Sequence, residues 1–340
     1  MAYPVLVNED IDGDILTFTL KNTDVCIANA LRRTILGNIR AVVMGKPDCT
    51  IPVNSTRFNN EILKQRIACI PVCLSPNEDL STFKIQLSKS NTTASTVYVT
   101  SGDFKIIENG KESSKQLFVP DTFTKEYIDI LRLRPKMGSV VESIQIQATL
   151  SIAVGSQTGT CNLANCFYKC TLNREQSEQE WAKKGIDSKN EKKDWDLLEA
   201  KRFVITDSFD ISVESYVLAI YSPAQLVRIA CKVIEKELLT FAEPITMKPS
   251  DTTMEKSVDI ILPGCDFTIG KVLEYYLFTT KFGTEITYIS FLKNHPHDKH
   301  GILRIAFKED QTDEWITKLF LDACKECVQY FNFSESLKSK

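Results

Sequence analysis

Four sets of residues in this sequence have types and spacings that could do chemistry. Cys161-x4-Cys166-x3-Cys170 offers three thiols within one short stretch. Zinc and iron–sulfur clusters are usually held by four such ligands in closely spaced pairs, and here the fourth ligand and the pairing are both missing. The plain reading is three small apolar side chains beside Phe167 and Tyr168, with no cofactor; zinc at Cys161, Cys166 and Cys170 is the metal alternative. All three histidines fall in His295-Pro296-His297-Asp298-Lys299-His300. No fourth ligand lies nearby, and Pro296 with Gly301 marks a turn, so His295, His297 and His300 read as a solvated hairpin loop. Cys324-x2-Cys327 lies in a helical pattern, where i and i+3 share a face, and reads as packing. The fourth set is the adjacent pair Arg32 and Arg33, guanidinium groups suited to recognising carboxylates or carbonyls across an interface.

Recognisable catalytic motifs are absent. The sequence has no G-x-x-x-x-G-K-[ST], no H-E-x-x-H, no G-x-S-x-G and no Asp triplet of the kind that holds polymerase magnesium. A metal-dependent enzyme built on the Cys161 or the His295 cluster is the competing class, and a self-associating structural protein is a third.

These residues are carried by mixed elements. Ile15 to Leu20 alternates as a strand and runs into a helix start, where Asn22, Thr23 or Asp24 can cap a first turn. Ile27, Ala28, Leu31 and Ile35 then recur at helical spacing up to Gly37-Asn38, with Arg32 and Arg33 off the apolar stripe. From Ala41 to about Ala200, short alternating runs separated by polar turns predict a largely β segment; residues 173–202 are dense in both charge signs and predict an exposed helical or mobile connection. Strand character returns at Phe209 to Ser215, followed by a helix opened by Ser222-Pro223. Residues 244–256 read as a linker, and a strand, helix, two strands and a final helix through Trp315, Phe320 and Phe331 follow.

The last part repeats the first. A shift of 242 positions, the distance from Asp24 to Asp266, also lays Ile27 on Ile269, Ala28 on Gly270 and Leu31 on Leu273. Two copies with one order of elements predict a pseudo-symmetric pair burying apolar faces together.

On these residues the chain resembles a known family. Asn22 to Leu36, with Asp24, Asn29, Leu31 and the Arg32–Arg33 pair, is similar to the signature of the alpha-type assembly subunit of DNA-directed RNA polymerases. That subunit is called D in archaea and is the third-largest in eukaryotes. Asn60 to Val72, with Arg66 and Pro71, resembles the family's next motif, and Phe209 to Ser215 its return from an inserted domain. Cys265 to Leu273 resembles the motif of the smaller L partner at Asp266, Thr268, Gly270 and Leu273. It departs from that motif at Cys265, Phe267, Lys271 and Glu274.

The resemblance implies an α+β fold of two alpha-like dimerisation modules, each an antiparallel sheet with two helices, joined as an intramolecular pseudo-dimer rather than a homo-oligomer. It implies a discontinuous D-like module at 1–50 and 200–245, a β-rich insert at 51–199, a linker at 246–256 and an L-like module at 257–340. The implied role is a non-catalytic platform for the largest and second-largest polymerase subunits, with Arg32 and Arg33 touching the second-largest. Small zinc-binding polymerase subunits are the other implied partners, and DNA is met only indirectly. Both modules on one chain resemble the fused subunit of some large nucleocytoplasmic DNA viruses, which implies host cytoplasm and virion; a non-viral host implies the nucleus.

Composition agrees. The 340 residues suit about two domains at roughly 150 residues each. The balance of 41 basic against 44 acidic residues argues against a basic DNA-binding tail but leaves room for a local basic patch. The N-terminal sequence lacks a basic and apolar leader and no run is long enough to span a bilayer, so the expectation is a chain that is neither secreted nor in a membrane. Eleven cysteines, an odd number in apolar contexts, fit a reducing compartment.

Overall fold

The computed structural model describes residues 3–159, 163–185, 188–241 and 244–338. Strands β1 (Val5–Asp12) and β2 (Ile15–Lys21) form a hairpin whose turn contains Gly13 at φ +60°, a conformation glycine adopts without steric cost. Helix α1 (Val25–Gly37) follows. Then come β3 (Arg40–Val43), β4 (Cys49–Asn54), helix α2 (Asn60–Ala68), β5 (Phe83–Ser90), β6 (Val97–Thr100), β7 (Lys105–Glu108) and β8 (Lys111–Glu112). The β-rich stretch closes with β9 (Asp129–Leu133), β10 (Ser143–Thr149), β11 (Ser151–Val154) and a single helical turn, α3 (Gly155–Thr158). Strand β12 (Ala164–Leu172), helices α4 (Arg174–Lys183) and α5 (Lys189–Leu197), and strand β13 (Val204–Ser215) lead to helix α6 (Pro223–Thr240). The chain ends with β14 (Thr246–Pro249), β15 (Ser257–Pro263), α7 (Phe267–Lys281), β16 (Ile286–Leu292), β17 (His300–Phe307) and α8 (Asp313–Val328).

The fold is α+β with several antiparallel sheets. It divides into two compact units. One comprises Met1–Thr34, Cys166–Val213 and Val227–Lys340; the other comprises Ile35–Asn165 and Glu214–Leu226.

The first unit is built around two four-stranded sheets, β1-β2-β13-β12 and β14-β15-β17-β16. Residues 166–199, which strand periodicity groups with the insert, fall in this unit, because β12 lies beside β13 in the sheet of the N-terminal hairpin. The aromatic pairs Phe18–Phe333 and Tyr3–Tyr330 and the bond from Arg228 to the Leu337 carbonyl fix the C-terminal segment in this core. In the charged segment, α4 and α5 bury Trp195 against Trp181 and Phe203, and the Trp195 ring N–H donates to Ser177.

Two details differ from the sequence reading. Thr246–Pro249, inside the expected linker, pairs with β15 as an edge strand, a place where a terminal proline is tolerated because no ladder donor is needed from it. The final α-helix stops at Val328 and tightens into a 3-10 segment, Gln329–Ser336. Three residues per turn bring Tyr330 and Phe333 to the same side, and both are buried.

The second unit has the five-stranded sheet β4-β10-β5-β7-β8 and the pairs β11-β3 and β6-β9. Alternate residues Phe83, Ile85 and Leu87 of β5 and Ile144, Ile146 and Ala148 of β10 turn into one core with Leu63 and Ile67 of α2. Among the described residues no helix is long and apolar enough to cross a membrane.

Candidate functional site

The two copies of the repeated motif become α1 and α7, and they begin alike. Asp24 Oδ1 accepts the backbone N–H of Cys26 at 2.8 Å, and Asp266 Oδ1 accepts that of Thr268 at 2.8 Å. A carboxylate there satisfies an otherwise unpaired amide and favours the positive end of the helix dipole. Asn22, the other capping candidate, is instead in the left-handed region at φ 56°, while the Thr23 backbone N–H bonds to the Asp207 carbonyl of β13. Behind the caps Ile27, Ala28 and Leu31 of α1 and Ile269 and Leu273 of α7 are buried.

Arg33 of α1 reaches the cap of α7. Its Nε donates to Thr268 Oγ1 at 2.8 Å and its Nη2 to Asp266 Oδ2 at 2.9 Å. Thr268, 3% exposed, also donates its hydroxyl to Asp266 Oδ2. Tyr275, which the 242-residue shift lays on Arg33, lines the same cleft as Asp24, the other cap. Its hydroxyl is held above its ordinary pKa chiefly by burial, with the Asp24 charge adding to it.

The correspondence extends to side-chain pairs one turn apart. Asn29 Oδ1 accepts from Arg32 Nε at 3.2 Å and Nη2 at 3.0 Å. At the shifted positions Lys271 Nζ donates to Glu274 Oε1 at 2.9 Å and Oε2 at 2.7 Å. Lys271 and Glu274, two departures from the L-type motif, thus keep the pairing while changing its chemistry. Glu274 also accepts the Phe291 backbone N–H at 2.6 Å, which ties α7 to β16.

Between these pairs Asn29, Lys271, Glu274 and Tyr275, with Phe267 and Phe278, line an open cleft of about 370 Å³. Lys271 and Glu274 pair with one another on its wall, and Cys26 there is held protonated, its thiol pushed far up chiefly by burial and then by Asp24. Such a surface can recognise a partner; it offers no activated nucleophile.

Arg33 also has partners within the chain. The residue is off the apolar stripe, as its spacing predicts, but its guanidinium is already engaged by Asp266 and Thr268 of the same chain. Arg32 is less exposed than Arg33, and its side-chain bonds among the described residues go to Asn29 on its own helix. Gly270 packs against Phe291: a Cβ there would lie 2.2 Å from the ring, and one on Gly301 would lie 2.3 Å from it. Phe267 meets the same ring edge-on at 5.2 Å. Tyr275, Phe291 and Gly301 were missed by sequence reasoning; carrying the 242-residue shift one turn further along α1 would have reached Tyr275.

Arg66 lies in the second unit, on α2, where its Nε and Nη2 donate at 2.8 Å to the carbonyls of Ile130 and Asp129. Pro71 follows α2, outside any regular element. Of the cysteine set, Cys161 lies outside the described residues; Cys166 is buried on β12 with its thiol pushed up to about 12 by burial, and Cys170 is on the same strand. Cys324 and Cys327 are buried on α8, both thiols raised by burial. His295 and His297 sit in the exposed turn between β16 and β17, where His295 Nδ1 accepts the His297 backbone N–H at 3.1 Å, and His300 opens β17. Among the described residues no three His, Cys, Asp or Glu groups are placed to hold a metal.

No protein-family model matches the sequence. The chain does share distant partial homology with a polymerase subunit. It is 33% identical over 70 residues to the DNA-directed RNA polymerases IV and V subunit 3B of Arabidopsis thaliana, a match covering 21% of each protein. It is likewise 33% identical over 70 residues to the DNA-directed RNA polymerases II, IV and V subunit 3 of the same plant, again 21% of each. The match thus spans about a fifth of the length of these curated relatives.

Proposed function

We propose that this chain is a non-catalytic assembly subunit of a multisubunit DNA-directed RNA polymerase, with a D-like and an L-like module paired on one polypeptide. The observation that carries the reading is the reciprocity of α1 and α7. Arg33 reaches the cap of α7, and Tyr275, its shifted equivalent, lines the cleft that also holds Asp24, the cap of α1. Equivalent positions set beside the two helix starts have the logic of a two-fold interface. The partial homology to subunit 3 supports the same assignment from an independent direction.

In this reading 1–50 with 200–245 and 257–340 are the two modules and 51–199 is the insert, less residues 166–199, which fold with the first module's sheet. The largest and second-largest subunits dock on the platform, with small zinc-binding subunits beside them, and DNA is contacted through those partners. One polypeptide holding both modules resembles the fused viral arrangement, which would put its transcription in the host cytoplasm and the protein in the virion.

Arg32 and Arg33 separate the interface from the fold. Arg32→Glu should leave thermal unfolding near that of the wild type and remove the second-largest subunit from the chains recovered by affinity purification. Arg33→Glu should lower stability by about 1–2 kcal/mol, because it sets a second carboxylate against Asp266. Normal recovery with Arg32→Glu would sink the interface, and a wild-type preparation that brings down no polymerase chains would sink the proposal itself.

A further inference from the structure

The second unit carries a groove of about 510 Å³ whose walls include four arginines, Arg57, Arg66, Arg132 and Arg134. Two strands and a helix assemble it. Tyr98 of β6 lies opposite Arg132 of β9, and the Arg132 guanidinium sits 4.7 Å from the centre of the Tyr98 ring. Arg134 follows two residues on. From α2, Arg66 reaches across to the carbonyls of β9 and lies 6.0 Å from the Phe58 ring.

The charge in this groove is not balanced locally. Among the described residues, two carboxylates pair with these guanidinium groups: Asp129, 3.4 Å from Arg132, and Glu142, which pairs with Arg134. Glu142 is 4% exposed, and although burial works against it, the Arg134 backbone and guanidinium together with the nearby Arg57 keep its carboxyl below the usual range. Arg66 spends its bonds on neutral carbonyls, which leaves its charge uncompensated. Two positive charges therefore remain in a groove on a chain whose net charge is −3.

Backbone recognition is closed here. Lys89 Nζ occupies the Tyr98 carbonyl at 2.8 Å and Arg66 occupies those of Asp129 and Ile130, so a peptide cannot simply add a strand to the β6–β9 pair. Recognition must then run through the guanidinium groups, which favour planar carboxylates in a fork geometry. Single-stranded nucleic acid fits less well: each aromatic ring already carries an arginine, so neither is a bare platform for a base.

We infer that the Arg57–Arg66–Arg132–Arg134 groove is a docking site for a short acidic peptide segment of a partner protein. The inference does not depend on the polymerase reading. A fluorescently labelled octaglutamate peptide, titrated into the full chain and followed by anisotropy, tests it. Binding should be saturable, weaken as salt rises, and fall at least about tenfold in an Arg57→Glu/Arg132→Glu double variant. If that variant melts early, Arg57→Gln/Arg132→Gln removes the charge without adding repulsion and should show the same direction of loss. No binding by the wild type, or undiminished binding by a folded variant, overturns the site. Tighter binding of oligouridylate than of octaglutamate gives the groove to nucleic acid and overturns the choice of partner.

Discussion

Gly270 and Gly301 show how narrowly a single ring can constrain a backbone. Both approach Phe291, which is 2% exposed, closely enough that a methyl group on either would overlap it. Alanine in place of Gly270 would gain about 1 kcal/mol of helix propensity and lose more than that to overpacking of a rigid, buried ring. Gly270→Ala should therefore lower stability by about 1–3 kcal/mol, and Phe291→Leu in the same chain should recover part of it, read as shifts in the denaturation midpoint. A Gly270→Ala chain as stable as the wild type would show that the ring has room to move. The requirement for glycine was not legible in the sequence, where the equivalent position in the first copy is Ala28; the ring that forbids a side chain comes from a different strand. Asp24 and Asp266 were legible because a cap is a local interaction with its own spacing. Arg33 was half legible: periodicity put it off the core stripe, but its partners lie far away in the chain.

Strands β15 and β17 are joined by an ion pair at the centre of their sheet. Arg304 Nε and Nη2 donate to Asp259 Oδ1 and Oδ2 at 2.7 and 2.8 Å, with the Asp259 side chain 1% exposed. Burial alone would raise this carboxyl; the Arg304 fork and charge outweigh it and hold the pKa below the ordinary 3.8. A group depressed in the folded state contributes stability that is fully present above its unfolded value and is lost as pH falls through the folded value. The melting temperature should thus drop steeply only below about pH 4. Asp259→Asn should cost about 3–5 kcal/mol at neutral pH, since it strands a largely buried guanidinium, and should flatten the acid limb. Thermal unfolding of both chains across acid pH checks this, and parallel acid limbs would assign the loss to other carboxylates. The strands themselves were visible from alternation, and so were α1, α6 and α7 from their stripes. Strand β14 was not, because Thr246–Pro249 is short, ends in proline and owes its form to pairing with β15 rather than to its own pattern.

The first unit holds together across the segment between β14 and β15, and that segment offers the most direct test of two modules joined on one polypeptide. Phe241, before it, meets Phe320, after it, with ring centres 5.7 Å apart; Phe18 meets Phe333 at 6.4 Å; and Arg228 donates to the Leu337 carbonyl. These contacts are mostly buried and apolar, so they should persist in high salt, whereas the half-exposed Arg33–Asp266 pair should weaken. A peptide link between two such surfaces chiefly supplies effective concentration, of the order of millimolar for a short flexible span. Thr252 and Thr253 are exposed in the turn between the strands, so a protease site inserted there should be cut without disturbing either core. The nicked protein is expected to elute as one species in native buffer and in high salt. Its unfolding midpoint should now depend on protein concentration, because dissociation accompanies unfolding once the link is gone. Separation of the fragments in native buffer would mean that the link, and not the paired surfaces, holds the chain together, and the pseudo-dimer would fall with it.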